Sequence, residues 1–262
     1  MSNKNLRLAK LFRNRDNSIC IVPIDHGMTY GPITGIKNYL QTVNQVVEGG
    51  ADGIILHKGL LNKVINTPEL VNSNYIMHLS ASTCLGKFQE EKVIVSSVES
   101  AVKLGAVGVS VQINFGCDFE SRMLKDVGII SDACYEWGMP LLTMVYVAGR
   151  GNNIAHAARV AEELGSDIVK IEHSRDTEEL RSIINSVNIP VIIAGGATDL
   201  SQEDLLRSIN DILGTGVSGV AIGRNIFQHS DPRLLTSLIS ALVHKKMNLE
   251  ECLNCISNKG LK

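Results

Sequence analysis

The sequence predicts a single-domain α/β fold, a (β/α)8 or TIM barrel spanning residues 1–262, on two observations. First, a helix-like segment ends at glycine and a short apolar strand follows within a few residues, four times over: Gly49 to Leu56, Gly105 to Val111, Gly165 to Val169 and Gly216 to Ile222. Glycine after a helix accepts the left-handed cap conformation, and an apolar run beyond it suits a parallel strand buried on both faces. Second, four more strand-length runs fall between these units, at Ser18 to Ile24, Tyr75 to Leu79, Pro140 to Val145 and Pro190 to Ala194. Eight strands alternating with helices in one uninterrupted domain favour a closed parallel barrel over an open doubly wound sheet.

The elements follow in order. Residues 1–17 are polar and basic, lack the apolar core of a secretory signal, and read as a short N-terminal extension. After the first strand, Ile36, Leu40, Val43 and Val47 recur at helical spacing, as do Ala157, Val160, Ala161 and Leu164 further on. Two of the strands open on proline, a position where the missing N–H is tolerated. Near the C-terminus Leu235, Leu238, Ile239 and Leu242 give a helix one apolar face, suited to the core or to an interface.

Composition narrows the function classes. A net charge of -2 without a basic stripe leaves no footprint for nucleic acid. The longest apolar runs are strand-length, well short of the ~20 residues that cross a bilayer. A cytoplasmic location is expected, with no membrane partner. The six cysteines are spread through a chain large enough to fold without staples and are expected to be reduced. Cys252 and Cys255 form a C-x-x-C pair but sit in a terminal helix, outside the βαβ context of a redox motif.

In a barrel of this kind the site is built where strands end and βα loops begin. Those positions carry Asp25-His26-Gly27, His57-Lys58-Gly59, His78 to Ser80, Gln112 to Gly116, Tyr146, Lys170, Gly195-Gly196 and Gly223-Arg224-Asn225. Lys170 shares the strand parity of Ile168, which turns it toward the interior, where apolar surroundings favour the nucleophilic amine. Lys58 also follows an apolar strand and is its rival, or a partner for phosphate or carboxylate; residue physics leaves the two lysines level. Asp25 shares parity with Ile21 and Pro23 and suits proton transfer, or else an N-cap. Tyr146 shares parity with Leu142 and Met144 and suits an acid or base at the barrel mouth, or else packing. Gly195, Gly196, Gly223 and Arg224 fit a phosphate site of bare backbone N–H groups and one forked cation. His26, His57, His78 and His173 raise a metal alternative, but neither H-x-H nor H-E-x-x-H spacing is present, and no metal is expected.

Taken together, Ile21-Val22-Pro23-Ile24-Asp25-His26-Gly27, Leu56-His57-Lys58-Gly59, Asp167-Ile168-Val169-Lys170, Ala194-Gly195-Gly196 and Gly223-Arg224-Asn225-Ile226-Phe227-Gln228-His229 resemble the archaeal-type class I, Schiff-base aldolase family, nearly end to end. Within it the chain is most similar to the branch that condenses aspartate semialdehyde into seven-carbon amino keto acids. The resemblance implies Lys170 as the Schiff-base lysine, Tyr146 and Asp25 as proton-transfer groups, and Gly195, Gly196, Gly223 and Arg224 as phosphate ligands, with His26 and Lys58 beside the substrate. It implies no cofactor beyond that covalent lysine, a phosphorylated ketose or dihydroxyacetone phosphate as donor, and a homo-oligomer. Fructose-bisphosphate aldolase, thiolase of a phosphorylated pentanedione, and a non-catalytic sugar-phosphate barrel are the alternatives. The chain departs from the family pattern at Tyr146-Val147-Ala148-Gly149-Arg150-Gly151 and at Ile171-Glu172-His173, in the wall around the acceptor.

Overall fold

The structure is a computed structural model describing residues 3–13, 17–149, 153–174, 176–196 and 200–258. Its strands are β1 (Ile19–Pro23), β2 (Gly53–His57), β3 (Tyr75–His78), β4 (Ser80–Ala81), β5 (Val93–Ile94), β6 (Gly108–Phe115), β7 (Leu141–Val147), β8 (Ile168–Ile171), β9 (Val191–Ala194) and β10 (Gly219–Ala221). Eight of them close a barrel in the order β1-β10-β9-β8-β7-β6-β3-β2, every pairing parallel. The helix-ending glycines hold positive φ at Gly50, Gly105, Gly165 and Gly216. β4 and β5 form an antiparallel hairpin in the connection from β3 to β6, an insertion the strand pattern did not predict.

Strand alternation divides the buried residues into two sets. Val22, Leu56, Val111, Val145, Val169, Ile193 and Val220 face the helices in the outer core. Ile21, Ile55, Ile76, Leu142, Met144, Ile168, Ile192 and Ala221 fill the barrel interior. The floor of that interior is closed by the helix Asn3–Leu11, whose Leu11 is 1% exposed and packs with the interior set, flanked by Leu8 and Phe12. Arg7 donates to the carbonyl of Gly138 at 2.8 Å, and Lys4 pairs with Asp167 at 3.0 Å. Residues 3–11 are therefore a docked plug rather than the polar extension expected; the polar reading passed over its apolar stripe.

The face formed by Leu235, Leu238, Ile239 and Leu242 lies in the chain's own core, each residue 5% exposed or less. Core, not interface, is its use. All six cysteines are free, with Cys252 buried in the last helix and its thiol pushed up to about 11 by burial, with Cys255 and Glu251 adding to the shift. Among the described residues no helix is long and apolar enough to cross a membrane.

Candidate active site

The alternation that packs the interior also aims polar groups upward at the C-terminal ends of the strands. Ile168 is followed inward by Lys170, and Leu142 and Met144 by Tyr146. Lys170 is 6% exposed, and its Nζ lies 3.1 Å from the Tyr146 hydroxyl and 3.8 Å from the Met144 sulfur. Two cavities meet at this pair. The larger, about 690 Å³, runs over β8, β9 and β10 and is lined by Glu172, Gly195, Gly196, Gly223 and Arg224. The smaller, about 260 Å³, runs over β1, β2 and β3 and is lined by Asp25, His57, His78, Ser80, Lys92 and Gln112. Lys170, Tyr146, His26 and Arg224 line both, so the cavities are two lobes of one cleft with the amine at their junction.

The larger lobe is shaped by missing side chains. Gly196 sits at φ 69, and a Cβ there would also press on His173, whose Nε2 is 2.9 Å from the Ser208 hydroxyl. At Gly223 a Cβ would stand 2.7 Å from both the His26 ring and the Pro23 carbonyl. The bare backbone at these positions faces the cavity beside Arg224, a permanent cation with several donors.

The smaller lobe is an imidazole and carboxylate cluster. Asp25 precedes the short helix His26–Tyr30 but makes no side-chain capping bond. Its carboxylate instead faces the imidazoles, with Oδ1 3.3 Å from His26 Nδ1 and Oδ2 3.9 Å from His78 Nε2. Burial opposes its ionisation, but the adjacent His26 imidazole and the fields of His78 and His57 outweigh it and hold the carboxyl well below the usual range. His78 bonds the Ser110 hydroxyl through Nδ1 at 2.8 Å, and its ring stands edge-on to His57 at 5.2 Å. Burial drives its pKa down to about 4 against the pull of Asp25, and burial likewise lowers His57. At neutral pH the lobe therefore holds an ionised Asp25 among neutral His57 and His78.

Of the residues singled out from the sequence, Lys170, Tyr146, Asp25, His26, Gly195, Gly196, Gly223 and Arg224 come together around this cleft. Lys58 does not. It opens the helix Lys58–Ile65, is exposed, and donates to the Val95 carbonyl at 3.0 Å, while His57 takes the inward position. The departures at Arg150 and Gly151 lie outside the described residues. Lys92 was missed, because it is carried by the unpredicted hairpin and not by a strand end.

A family model described as DeoC/LacD family aldolase matches residues 19–229, which include every barrel strand and the whole cleft. This chain belongs to the DeoC/LacD aldolase family. It is 36% identical over 256 residues to a 2-amino-3,7-dideoxy-D-threo-hept-6-ulosonate synthase of Halobacterium salinarum, covering 95% of each chain. It is 35% identical over 249 residues to a 2-amino-4,5-dihydroxy-6-oxo-7-(phosphonooxy)heptanoate synthase of Streptomyces griseus, covering 92% of this chain and 90% of that one. Among solved structures it is similar to an archaeal fructose-1,6-bisphosphate aldolase whose catalytic lysine is covalently bound to the carbinolamine intermediate of its substrate. The TM-score is 0.81 at 26% identity, over 92% of this chain and 99% of that one. The chain is thus an aldolase of the class I, lysine-dependent kind, with a buried amine in the cleft such chemistry requires.

Proposed function

We propose that this aldolase joins a phosphorylated three-carbon ketone, or the equivalent fragment of a phosphorylated ketose, to aspartate semialdehyde, giving a seven-carbon amino keto acid. The observation that carries the reading is the Lys170–Tyr146 pair at the junction of a lobe lined by bare glycines and Arg224 and a second, smaller lobe. The chemistry of the two relatives' products supports the acceptor. Each product name describes a ketone at C6 and oxygen at C4 and C5, so the aldol bond is C4–C5. Breaking it leaves C1–C4 as aspartate semialdehyde in both, and C5–C7 as dihydroxyacetone phosphate in the phosphorylated case.

In the forward direction Lys170 Nζ adds to the donor carbonyl, Tyr146 supplies the proton to the carbinolamine oxygen, and water leaves to give the iminium. Loss of a proton from the adjacent carbon gives an enamine. That carbon attacks the aldehyde carbon, and the new alkoxide takes up a proton. Water then hydrolyses the product iminium and frees the lysine. Asp25, ionised in the smaller lobe, serves as the second proton-transfer group, and Gly195, Gly196, Gly223 and Arg224 hold the donor phosphate while His26 borders both substrates. No cofactor beyond the covalent lysine enters this sequence of steps.

Borohydride reduction with dihydroxyacetone phosphate, followed by peptide mass mapping, tests the amine. The expected result is a stable adduct on Lys170, and Lys170→Met is expected to abolish it and lower kcat by at least about 10⁴-fold. An adduct on Lys58, or none in the wild type, would overturn the reading. The aldolase is also proposed to act in the cytoplasm, consistent with its six free thiols, and as a homo-oligomer, for which Tyr135 (85% exposed) and Ile129 (56%) on the helix Glu120–Trp137 supply outward apolar surface. Sedimentation equilibrium showing a monomer at all concentrations would refute the latter.

A further inference from the structure

Three basic side chains line the smaller lobe, Lys170, Arg224 and Lys92, against a single acidic side chain, Asp25. Lys170 is assigned to the covalent chemistry and Arg224 to the donor phosphate. Lys92 has no role in either. It stands just before β5, on the arm of the hairpin facing Ser82, half-buried in the lobe. Its Nζ lies 2.5 Å from the Ser82 hydroxyl, which in turn donates to the Gln89 carbonyl at 2.9 Å. No carboxylate lies within ion-pair distance of it among the described residues, and the ammonium has two more protons to give. A partly buried cation without a counter-charge costs free energy unless an anion arrives to pair with it. Burial lowers its pKa and Asp25 pulls it back up, so the charge of Lys92 is felt across the lobe; His78 responds to both Lys92 and Lys170.

We propose that Lys92, steadied by Ser82, binds the carboxylate of the acceptor aldehyde and thereby selects an aldehyde bearing an acid group for attack by the enamine on Lys170. The proposal rests on the reading of Lys170 and of aspartate semialdehyde given above. It makes Lys92 a specificity residue, and it gives the β4–β5 hairpin a function: the hairpin brings a cation over the barrel mouth that no strand end supplies.

The test compares wild type, Lys92→Gln and Lys92→Arg, with dihydroxyacetone phosphate as donor and aspartate semialdehyde or glyceraldehyde 3-phosphate as acceptor. Donor trapping by borohydride is read in parallel, without any acceptor. Lys92→Gln is expected to raise KM for aspartate semialdehyde by about 30- to 100-fold, as loss of a charge-assisted contact does, with kcat within about threefold of wild type. Donor trapping is expected to be unchanged, and Lys92→Arg to stay within about fivefold of wild type in KM. An unchanged KM in Lys92→Gln overturns the proposal and leaves the reaction standing. So does a fall in kcat together with loss of trapping, which would make Lys92 part of the donor machinery. A wild type that traps the donor but prefers glyceraldehyde 3-phosphate, with that preference lost in Lys92→Gln, would give Lys92 a phosphate instead and overturn the acceptor assignment. A wild type that traps no donor overturns the amine itself.

Discussion

His78 sets the charge state of the smaller lobe, and its burial has a consequence for stability. Its pKa falls to about 4 in the folded chain from an unfolded value near 6.5. Between those values the unfolded chain binds a proton that the folded chain does not, so stability falls as pH drops through that window. The shift corresponds to at most about 3 kcal/mol, and His57 acts in the same direction. Asp25 adds a further loss only below the ordinary carboxylate range, because its folded pKa is depressed. Urea midpoints at pH 7.5 and pH 5 check this: wild type is expected to lose clearly more stability than His78→Gln, and equal losses would refute it. The inward positions of Lys170, Tyr146 and Asp25 were legible from the two-residue strand period alone, and the same period, not applied to β3 in the sequence, turns His78 inward beside Ile76. Lys58 misled because it was read as a strand end, whereas the alternation that turns Ile55 and His57 inward turns its neighbour out to Val95. Resolving the tie between the two lysines needed parity in strand β2 as much as family resemblance.

Two elements show where the sequence was and was not readable. The eight barrel strands announced themselves through glycine caps and apolar runs, since a strand covered on both faces must be apolar throughout. The β4–β5 hairpin could not, because each arm is two residues long and too short to show any period. It is also the element beside Lys92, so that side of the smaller lobe was hidden along with it. The N-terminal helix was obscured differently: most of its residues are polar or exposed, Leu6 among them, and what packs on the barrel is a narrow stripe of Leu8 and Leu11 continued by Phe12. Leu11→Ala is expected to cost about 2 to 5 kcal/mol by opening a hole in the barrel floor. The plug lies at the opposite end of the barrel from the cleft, so kcat and KM at 25 °C are expected to stay within about twofold of wild type. Thermal unfolding with parallel kinetics checks both halves; an unshifted Tm would mean that the floor does not depend on the helix.

At the scale of the whole molecule, the barrel separates two binding problems that a carbon–carbon bond then joins. Strands β8 to β10 present bare backbone and Arg224 to the larger lobe, while β1 to β3 and the hairpin present Asp25, the imidazoles and Lys92 to the smaller one, and on the proposed reading each lobe takes one substrate. Lys170 sits between them, reached from either side. If the lobes are divided as proposed, inorganic phosphate enters the larger one and competes with the donor while leaving the acceptor's KM nearly untouched. Arg224→Ala is expected to weaken phosphate inhibition and raise the donor KM together, each by about 10-fold or more, since both lose the same forked cation. Steady-state inhibition patterns read at fixed acceptor and then at fixed donor decide the matter. Competition of phosphate against the acceptor, with none against the donor, would mean that the lobes are assigned the wrong way round, and that the bare glycines of β9 and β10 face the aldehyde.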